Sequence, residues 1–394
     1  GRVHHLSATA PADSFWTWRD AMYSVAAGLD PDGVEAISAL AFLELLRAGV
    51  TAVGEFHYLH HDRNGAPYAD PDELALRVIA AARRVGIRIT LLRVVYGASG
   101  FDAGGRPLAL TAAQRRFASG SADAALVATA RLADRTSADM AVVIGLAPHS
   151  VRAVPRGWMA ELAAFSGVVH CHVAEQPAEV VACHEAFGCG PLTLLADAGL
   201  VHDRFAAVHL THPDPGDAAL LRAAGARIVV CPSTELDLGD GFLPLSLRGG
   251  IELAVGSDSY AAVEPLAEAR AIELHGRALA GQRLVLGAAG VGDQARALLA
   301  IASANGHRAL GQPGGHIVVG APADLVAVDL ARPEALGVPP LEAAAFVSRP
   351  EWVRHVWIAG EHVLVDRGHA AEADIVASAA RCLHGITAVR YPTR

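Results

Sequence analysis

The chain has 394 residues, of which 52% are hydrophobic and 19% are charged, and its formal net charge is −9. This length and apolar content suffice for one large domain and a smaller one, each with a buried core. The acidic balance, without a basic run, argues against a nucleic-acid partner. No apolar run of about eighteen residues and no signal-peptide pattern is found, so we expect a cytoplasmic protein without a membrane partner.

Seven short runs rich in β-branched residues follow one another from about residue 50, with helix-forming segments between them. The predicted strands are residues 51–59, 87–96, 140–148, 168–175, 205–212, 227–234 and 251–259. Apolar strands that alternate with amphipathic helices indicate parallel βαβ units. An open doubly wound sheet is the alternative, but no Gly-rich dinucleotide turn follows any strand. We therefore predict the α/β class and a (β/α)8 TIM-type barrel in which an eighth strand would close the sheet.

The pattern changes after two further predicted helices, at about 265–280 and 291–304. Segments 314–330 and 353–369 contain short apolar runs separated by Gly, which predicts strands joined by tight turns. The sequence thus predicts a catalytic barrel over residues 1–310. A small β-sandwich-like domain, closed by a terminal helix near 372–383, is predicted over residues 311–394.

Polar side chains occur where the predicted strands end, which is where barrel enzymes carry their chemistry. These residues are His57, Tyr96, His149, His172, His209 and Asp258.

The strongest local pattern is His172 followed three residues later by Glu175, at the end of one strand. Such a pair can supply a metal with an imidazole and a substrate with a proton shuttle, although HxxE is common by chance. His209 ends the next strand, where it could act on a metal-bound water or simply bond a backbone carbonyl. Asp258 follows a buried apolar strand, where a carboxylate is costly unless it is paired or binds a metal. Together these residues indicate a metal centre.

This ordered set resembles the amidohydrolase superfamily, which carries HxxE after strand five, His after strand six and Asp after strand eight. The tail, residues 315–329, resembles that superfamily's terminal β domain. Within the superfamily, the chain from about residue 13 onward is similar to the formimidoylglutamate deiminases. The segments that carry this similarity are Phe15–Arg19, Glu55–His61, His149–Val154, His170–Gln176 and Ser233–Gly241. The first three separate this group from guanine and cytosine deaminases.

The resemblance implies a hydrolase that deiminates N-formimidoyl-L-glutamate in histidine degradation, a homodimer, and one divalent metal per chain. Zinc is the expected ion, with iron or manganese as alternatives for the same ligands. His172 and Asp258 would hold the metal, and Glu175 would be the general acid and base. His209 and Asp258 would orient the attacking water.

Four further residues are expected to bind the substrate: Arg19, Tyr96, His149 and Arg152. Arginine suits a substrate with two carboxylates because its guanidinium binds each in a bidentate manner. A surface ion pair for Arg19 and a core position for Tyr96 are the alternatives.

The chain departs from the family at its start. The family's first barrel strand ends in a His-x-His pair that supplies two metal ligands, and no such pair precedes Phe15. We therefore expect the first strand to be absent, with an unpaired edge between strands two and eight. His57, His60 and His61 are expected to be structural. The alternative functions are deamination of another imino or guanidino substrate, and a catalytically silent barrel that acts by binding.

Overall fold

The structure is a computed structural model and describes residues 15–287 and 290–390. Strands and helices alternate through most of it. In chain order these elements are α1 (Phe15–Gly28), α2 (Pro31–Arg47), β1 (Ala52–His57), α3 (Glu73–Val85), β2 (Arg88–Val95), α4 (Ala122–Thr136), β3 (Val142–Pro148), α5 (Arg156–Leu162), β4 (Val169–Val173), α6 (Pro177–Phe187), α7 (Pro191–Asp197), β5 (Phe205–His209), α8 (Asp217–Ala224), β6 (Arg227–Val230), α9 (Pro232–Leu238), β7 (Leu253–Val255), α10 (Pro265–Ala280), α11 (Val291–Ile301) and α12 (Ala304–Ala309).

The seven strands form one parallel sheet in the order β1-β2-β3-β4-β5-β6-β7. Each strand pairs with the next one along the chain, so every crossover is a βαβ unit. The predicted class and the seven predicted strands are confirmed. Within the described residues, β1 and β7 are the two edges of this curled sheet.

Strand β2 shows why the sheet carries helices on its outer side, since it is buried along its whole length. Ile89 and Leu91 pack in one cluster with Val78 of α3 on the outer face. Leu92 packs with Phe56 on the inner face. Both faces are apolar because side chains alternate along the strand, and the carboxyl ends of all the strands meet at one edge.

A second, antiparallel sheet follows the barrel segment. It consists of β8 (Leu325–Val328), β9 (Val353–Ile358) and β10 (Glu361–Leu364), in the order β10-β9-β8. The short α13 (Pro340–Glu342) lies between β8 and β9, and α14 (Glu372–Arg390) follows β10. The small β unit is confirmed, while the division between residues 310 and 311 stays a prediction. Among the described residues, we find no helix with the length and apolar character needed to cross a bilayer.

A buried ion pair links the two sheets. Arg88 at the start of β2 donates from Nε and Nη2 to the carboxylate of Asp324, at 2.7 and 3.2 Å. Both side chains are at most 5% exposed. Replacing Arg88 by Met leaves the buried carboxylate of Asp324 without its ion-pair partner. We therefore expect the free energy of unfolding, measured in urea titrations, to fall by about 3 kcal/mol.

The control for this prediction is Arg106→Met. Arg106 is paired with Asp102 but is 85% exposed, so its loss should cost less than about 1 kcal/mol. Equal losses for the two variants would contradict a structural role for the buried pair.

Candidate active site

Three side chains converge at the carboxyl edge of the parallel sheet. His172 is on β4, His209 is the last residue of β5, and Asp258 follows β7. Each offers one ligand atom, and these three atoms lie within 4.8 Å of one another. The structure thus brings together residues that are far apart in the sequence, because the parallel strands end at a common edge.

The ring of His172 has a fixed orientation. Its Nδ1–H donates to the carbonyl oxygen of His149 at 2.8 Å. This bond leaves Nε2, with its lone pair, as the ring nitrogen available to bind a metal.

His209 is completely buried and has acidic groups on both of its nitrogens. Nδ1 lies 3.3 Å from Oε1 of Glu235, and Nε2 lies 3.7 Å from Oε1 of Glu175 and 3.8 Å from Oδ2 of Asp258. Nε2 is buried without a hydrogen-bond partner. A buried polar atom of this kind is costly, which indicates a site built for a further group.

The backbone around these side chains is strained. His209 has a φ of 71° and Asp258 a φ of 36°, and Ala174, just before Glu175, has a φ of 49°. The left-handed region is unfavourable for residues other than Gly, and such residues concentrate at functional sites.

The electrostatics of the site favour a cation. Burial lowers the pKa of His209, but the negative charges of Glu175, Asp258 and Glu235 outweigh it and raise that pKa to about 10. Burial raises the pKa of Glu175, but the positive charges of His209, Arg152 and His172 bring it below its usual value. Glu175 therefore stays ionised and stabilises positive charge beside His209.

This donor set fits a divalent metal. Two imidazole nitrogens and a carboxylate oxygen are the ligands of a catalytic zinc site, and the same set can hold iron or manganese. Nε2 of His209, which is buried without a hydrogen-bond partner, supports this fit. A second group, His209, Cys231 and Glu235, is also close enough to hold an ion. Burial raises the pKa of the Cys231 thiol well above its usual value, which disfavours the thiolate form that binds metals.

Arg152 lies in the loop between β3 and α5 and contacts the acidic residues directly. Nη2 donates to Oε2 of Glu175 at 2.9 Å, and Nε lies 3.7 Å from Oε2 of Glu179. Sequence reasoning expected Arg152 to bind only the substrate and missed Glu179. The only signal for Glu179 was its position in the first turn of the helix that follows Glu175.

An aromatic wall adjoins the metal ligands. The His149 ring lies 4.9 Å from that of His172, 5.0 Å from that of Tyr96 and 5.6 Å from that of Tyr58. Tyr96 is both a core residue and a member of this wall, since it is buried and its OH accepts from Gln114 at 3.2 Å. Tyr58 was missed, although it lies one residue beyond β1 in the segment that carried the resemblance.

Helix α1 brings Arg19 to the same region. Its guanidinium lies 5.6 Å from the ring centroid of Tyr23, and the OH of Tyr23 is 3.4 Å from that of Tyr96. The side chains of Phe15, Trp16 and Thr17, in the segment that carried the resemblance, lie outside the described residues.

A cavity of about 1210 Å³ connects these groups. It is large enough for a small amino-acid derivative. Seven of the eight predicted site residues line it, namely Arg19, Tyr96, His149, Arg152, His172, Glu175 and Asp258.

The remaining histidines near β1 bond to the backbone. Nε2–H of His60 donates to the carbonyl of Val94, and Nε2–H of His61 donates to that of Ala118, both at 2.8 Å. His57 is buried beside His60. Among the described residues, none of the three belongs to a group able to hold a metal.

Comparison with known proteins fits this geometry. Residues 3–363 match the profile of the Amidohydrolase family. The chain belongs to the amidohydrolase family. The predicted recognition is confirmed, and with it the TIM-type fold class and membership of a family of metal-dependent hydrolases that act on C–N bonds.

Individual relatives cover most of the chain. It is 40% identical over 373 residues to formimidoylglutamate deiminase of Pseudomonas aeruginosa, covering 92% of this chain and 80% of the relative. It is 30% identical over 364 residues to 5-methylthioadenosine/S-adenosylhomocysteine deaminase of Natronomonas pharaonis, covering 89% of this chain and 75% of the relative.

Two solved structures are similar along nearly the whole chain. An amidohydrolase from Brucella melitensis has a TM-score of 0.87 and 34% identity, over 96% of this chain and 84% of that chain. An adenosine deaminase from Xanthomonas campestris, solved with bound zinc, has a TM-score of 0.80 and 26% identity, over 98% of this chain and 83% of that chain.

Proposed function

We propose that the protein hydrolyses N-formimidoyl-L-glutamate to N-formyl-L-glutamate and ammonia. The observation that carries the proposal is the arrangement around His209. Its Nε2 lies between Glu175 and Asp258, beside a cavity whose wall contains Arg19 and Arg152. The 40% identity to a formimidoylglutamate deiminase supports the same substrate.

His172 and Asp258 would hold the metal, with Nε2 of His209 facing the same point. We propose zinc as the ion, because these N and O donors suit it, while iron or manganese would use the same atoms. When bound there, the metal supplies Lewis acidity that lowers the pKa of a water molecule.

Asp258 and His209 orient the attacking water, at Oδ2 and Nε2 respectively, and Oδ2 of Asp258 accepts one of its protons. The water oxygen bonds to the formimidoyl carbon, and the bond from this carbon to its terminal nitrogen breaks. Glu175 accepts the other proton of the water and then the one held by Asp258, and it delivers both to that nitrogen, which leaves as ammonia. The carbon retains the water oxygen as a formyl group. Proton transfers of this kind need a group within hydrogen-bond reach of the reacting atoms.

The two carboxylates of the substrate are bound by the arginines. Arg152 can do this while holding Glu175, because a guanidinium presents five N–H donors in a fixed fork. Tyr96 and His149 line the same wall, and burial together with His172 and Arg152 holds the pKa of His149 well below its usual value. His149 is therefore neutral and contributes hydrogen bonds to the substrate without a charge.

The test is the formation of ammonia and N-formyl-L-glutamate in equal amounts. Formation of formamide and glutamate would instead show cleavage of the other C–N bond of the amidine. The homodimeric state and the cytoplasmic location stay predictions.

A further inference from the structure

Glu235 is a buried acid that the proposed mechanism does not use. It lies on α9, is 1% exposed, and packs behind His209 on the side away from Glu175 and Asp258. Its Oε1 accepts the backbone N–H of Cys231 at 2.8 Å and lies 3.3 Å from Nδ1 of His209. A buried carboxylate is costly, so its retention at this position calls for a role.

We propose that Glu235 is a positioning residue: its carboxylate accepts the Nδ1–H of His209 and thereby directs Nε2 toward Glu175 and Asp258. The two nitrogens of an imidazole are distinct, and the bond made by one fixes the tautomer and orientation of the other. The catalytic consequence rests on the proposed deiminase function, while the hydrogen bond itself does not.

The carboxylate is held rigidly enough to act in this way. The N–H of Cys231 donates to Oε1 of Glu235, and the N–H of Glu235 donates to the carbonyl of Cys231 at 2.9 Å. These reciprocal bonds fix the side chain against the first turn of α9. His209 ends β5 with a φ of 71°, and the contact with Glu235 links its ring to α9.

A purely structural role for Glu235, as a cap of α9, predicts different behaviour from a positioning role. Glu235→Gln retains Oε1, so it keeps both hydrogen bonds that this atom accepts. Glu235→Leu has a similar volume and loses both. Glu268→Leu is the matched control. Oε2 of Glu268, on α10, accepts the N–H of Ser233 in the first turn of α9 at 2.9 Å, so this variant also removes a carboxylate that is bonded to α9.

The first experiment measures kcat and KM for N-formimidoyl-L-glutamate with zinc supplied. We expect Glu235→Leu to lower kcat by about 10- to 100-fold with KM little changed. Glu235→Gln should restore most of kcat, and Glu268→Leu should lower the melting temperature without this loss of kcat. Equal kcat values for Glu235→Leu and Glu235→Gln would overturn the positioning role.

The second experiment does not depend on activity. In histidine-labelled protein, the hydrogen-bonded Nδ1 proton of His209 gives a downfield NMR resonance, assigned by its loss in His209→Gln. We expect this resonance to persist in Glu235→Gln and to disappear in Glu235→Leu. Its absence from the wild type, or its persistence in Glu235→Leu, would overturn the proposal.

These two experiments separate the proposals. If the wild-type chain releases no ammonia but shows the resonance, the deiminase function is contradicted, while the hydrogen bond between Glu235 and His209 is supported. If Glu235→Leu does not fold, Glu235→Asp replaces it, because a side chain shorter by one methylene cannot reach both donors. The same losses of kcat and of the resonance are then expected.

Discussion

Replacing Glu175 by Gln is expected to lower kcat for N-formimidoyl-L-glutamate by about 1000-fold, in line with the loss of a general acid and base. Glutamine keeps an oxygen that can accept from Arg152, which lies 2.9 Å from the carboxylate, so the loop should stay in place. It cannot carry the protons of water to the leaving nitrogen. Steady-state kinetics together with zinc analysis by atomic absorption checks this result.

The control is Glu185→Gln, which makes the same chemical change on the exposed face of α6. It should leave kcat unchanged. Zinc content should be unchanged in both variants, because Glu175 is not one of the proposed ligands. Turnover retained in Glu175→Gln would show that another group moves the protons.

Replacing Arg152 by Ala is expected to lower kcat/KM for the diacid substrate by about 10- to 100-fold, as charge-assisted hydrogen bonds contribute about 1.5–3 kcal/mol each. We expect KM to rise because Arg152 no longer binds a carboxylate of the substrate. A fall in kcat should accompany it, because Glu175 loses its 2.9 Å partner and Glu179 loses its nearest described cation. Steady-state kinetics separates the two effects.

Two further variants test the geometry of Arg152. Arg152→Lys should be intermediate, because an ammonium is a point charge that cannot bind a carboxylate in a bidentate manner. Arg156→Ala removes an exposed arginine four residues further on and should have no effect. If Arg152→Ala acts on the diacid like the wild type, the substrate assignment is wrong.

The sequence predicted the strands and their order because apolar runs such as β2 are buried on both faces and alternate with amphipathic helices. It also predicted that His172, His209 and Asp258 would meet, because the ends of parallel strands share one edge. These inferences need only local pattern and topology.

The sequence could not predict contacts that depend on how side chains pack after folding. The pairing of Arg152 with Glu175 joins two loops, and the contact of Glu235 with His209 joins α9 to β5. Neither pair has a characteristic spacing in the sequence. Glu179 and Tyr58 were missed because an acid in a helix and a tyrosine after a strand have ordinary structural explanations.

The most direct test of the proposed function compares two substrates with one preparation of the zinc-supplied protein. Ammonia release is measured from N-formimidoyl-L-glutamate and from 5-methylthioadenosine, the latter chosen because some relatives are methylthioadenosine deaminases. We predict release from the first substrate, with an equal amount of N-formyl-L-glutamate, and none from the second above the rate without enzyme. Release from 5-methylthioadenosine alone, or from neither substrate, would contradict the proposed function.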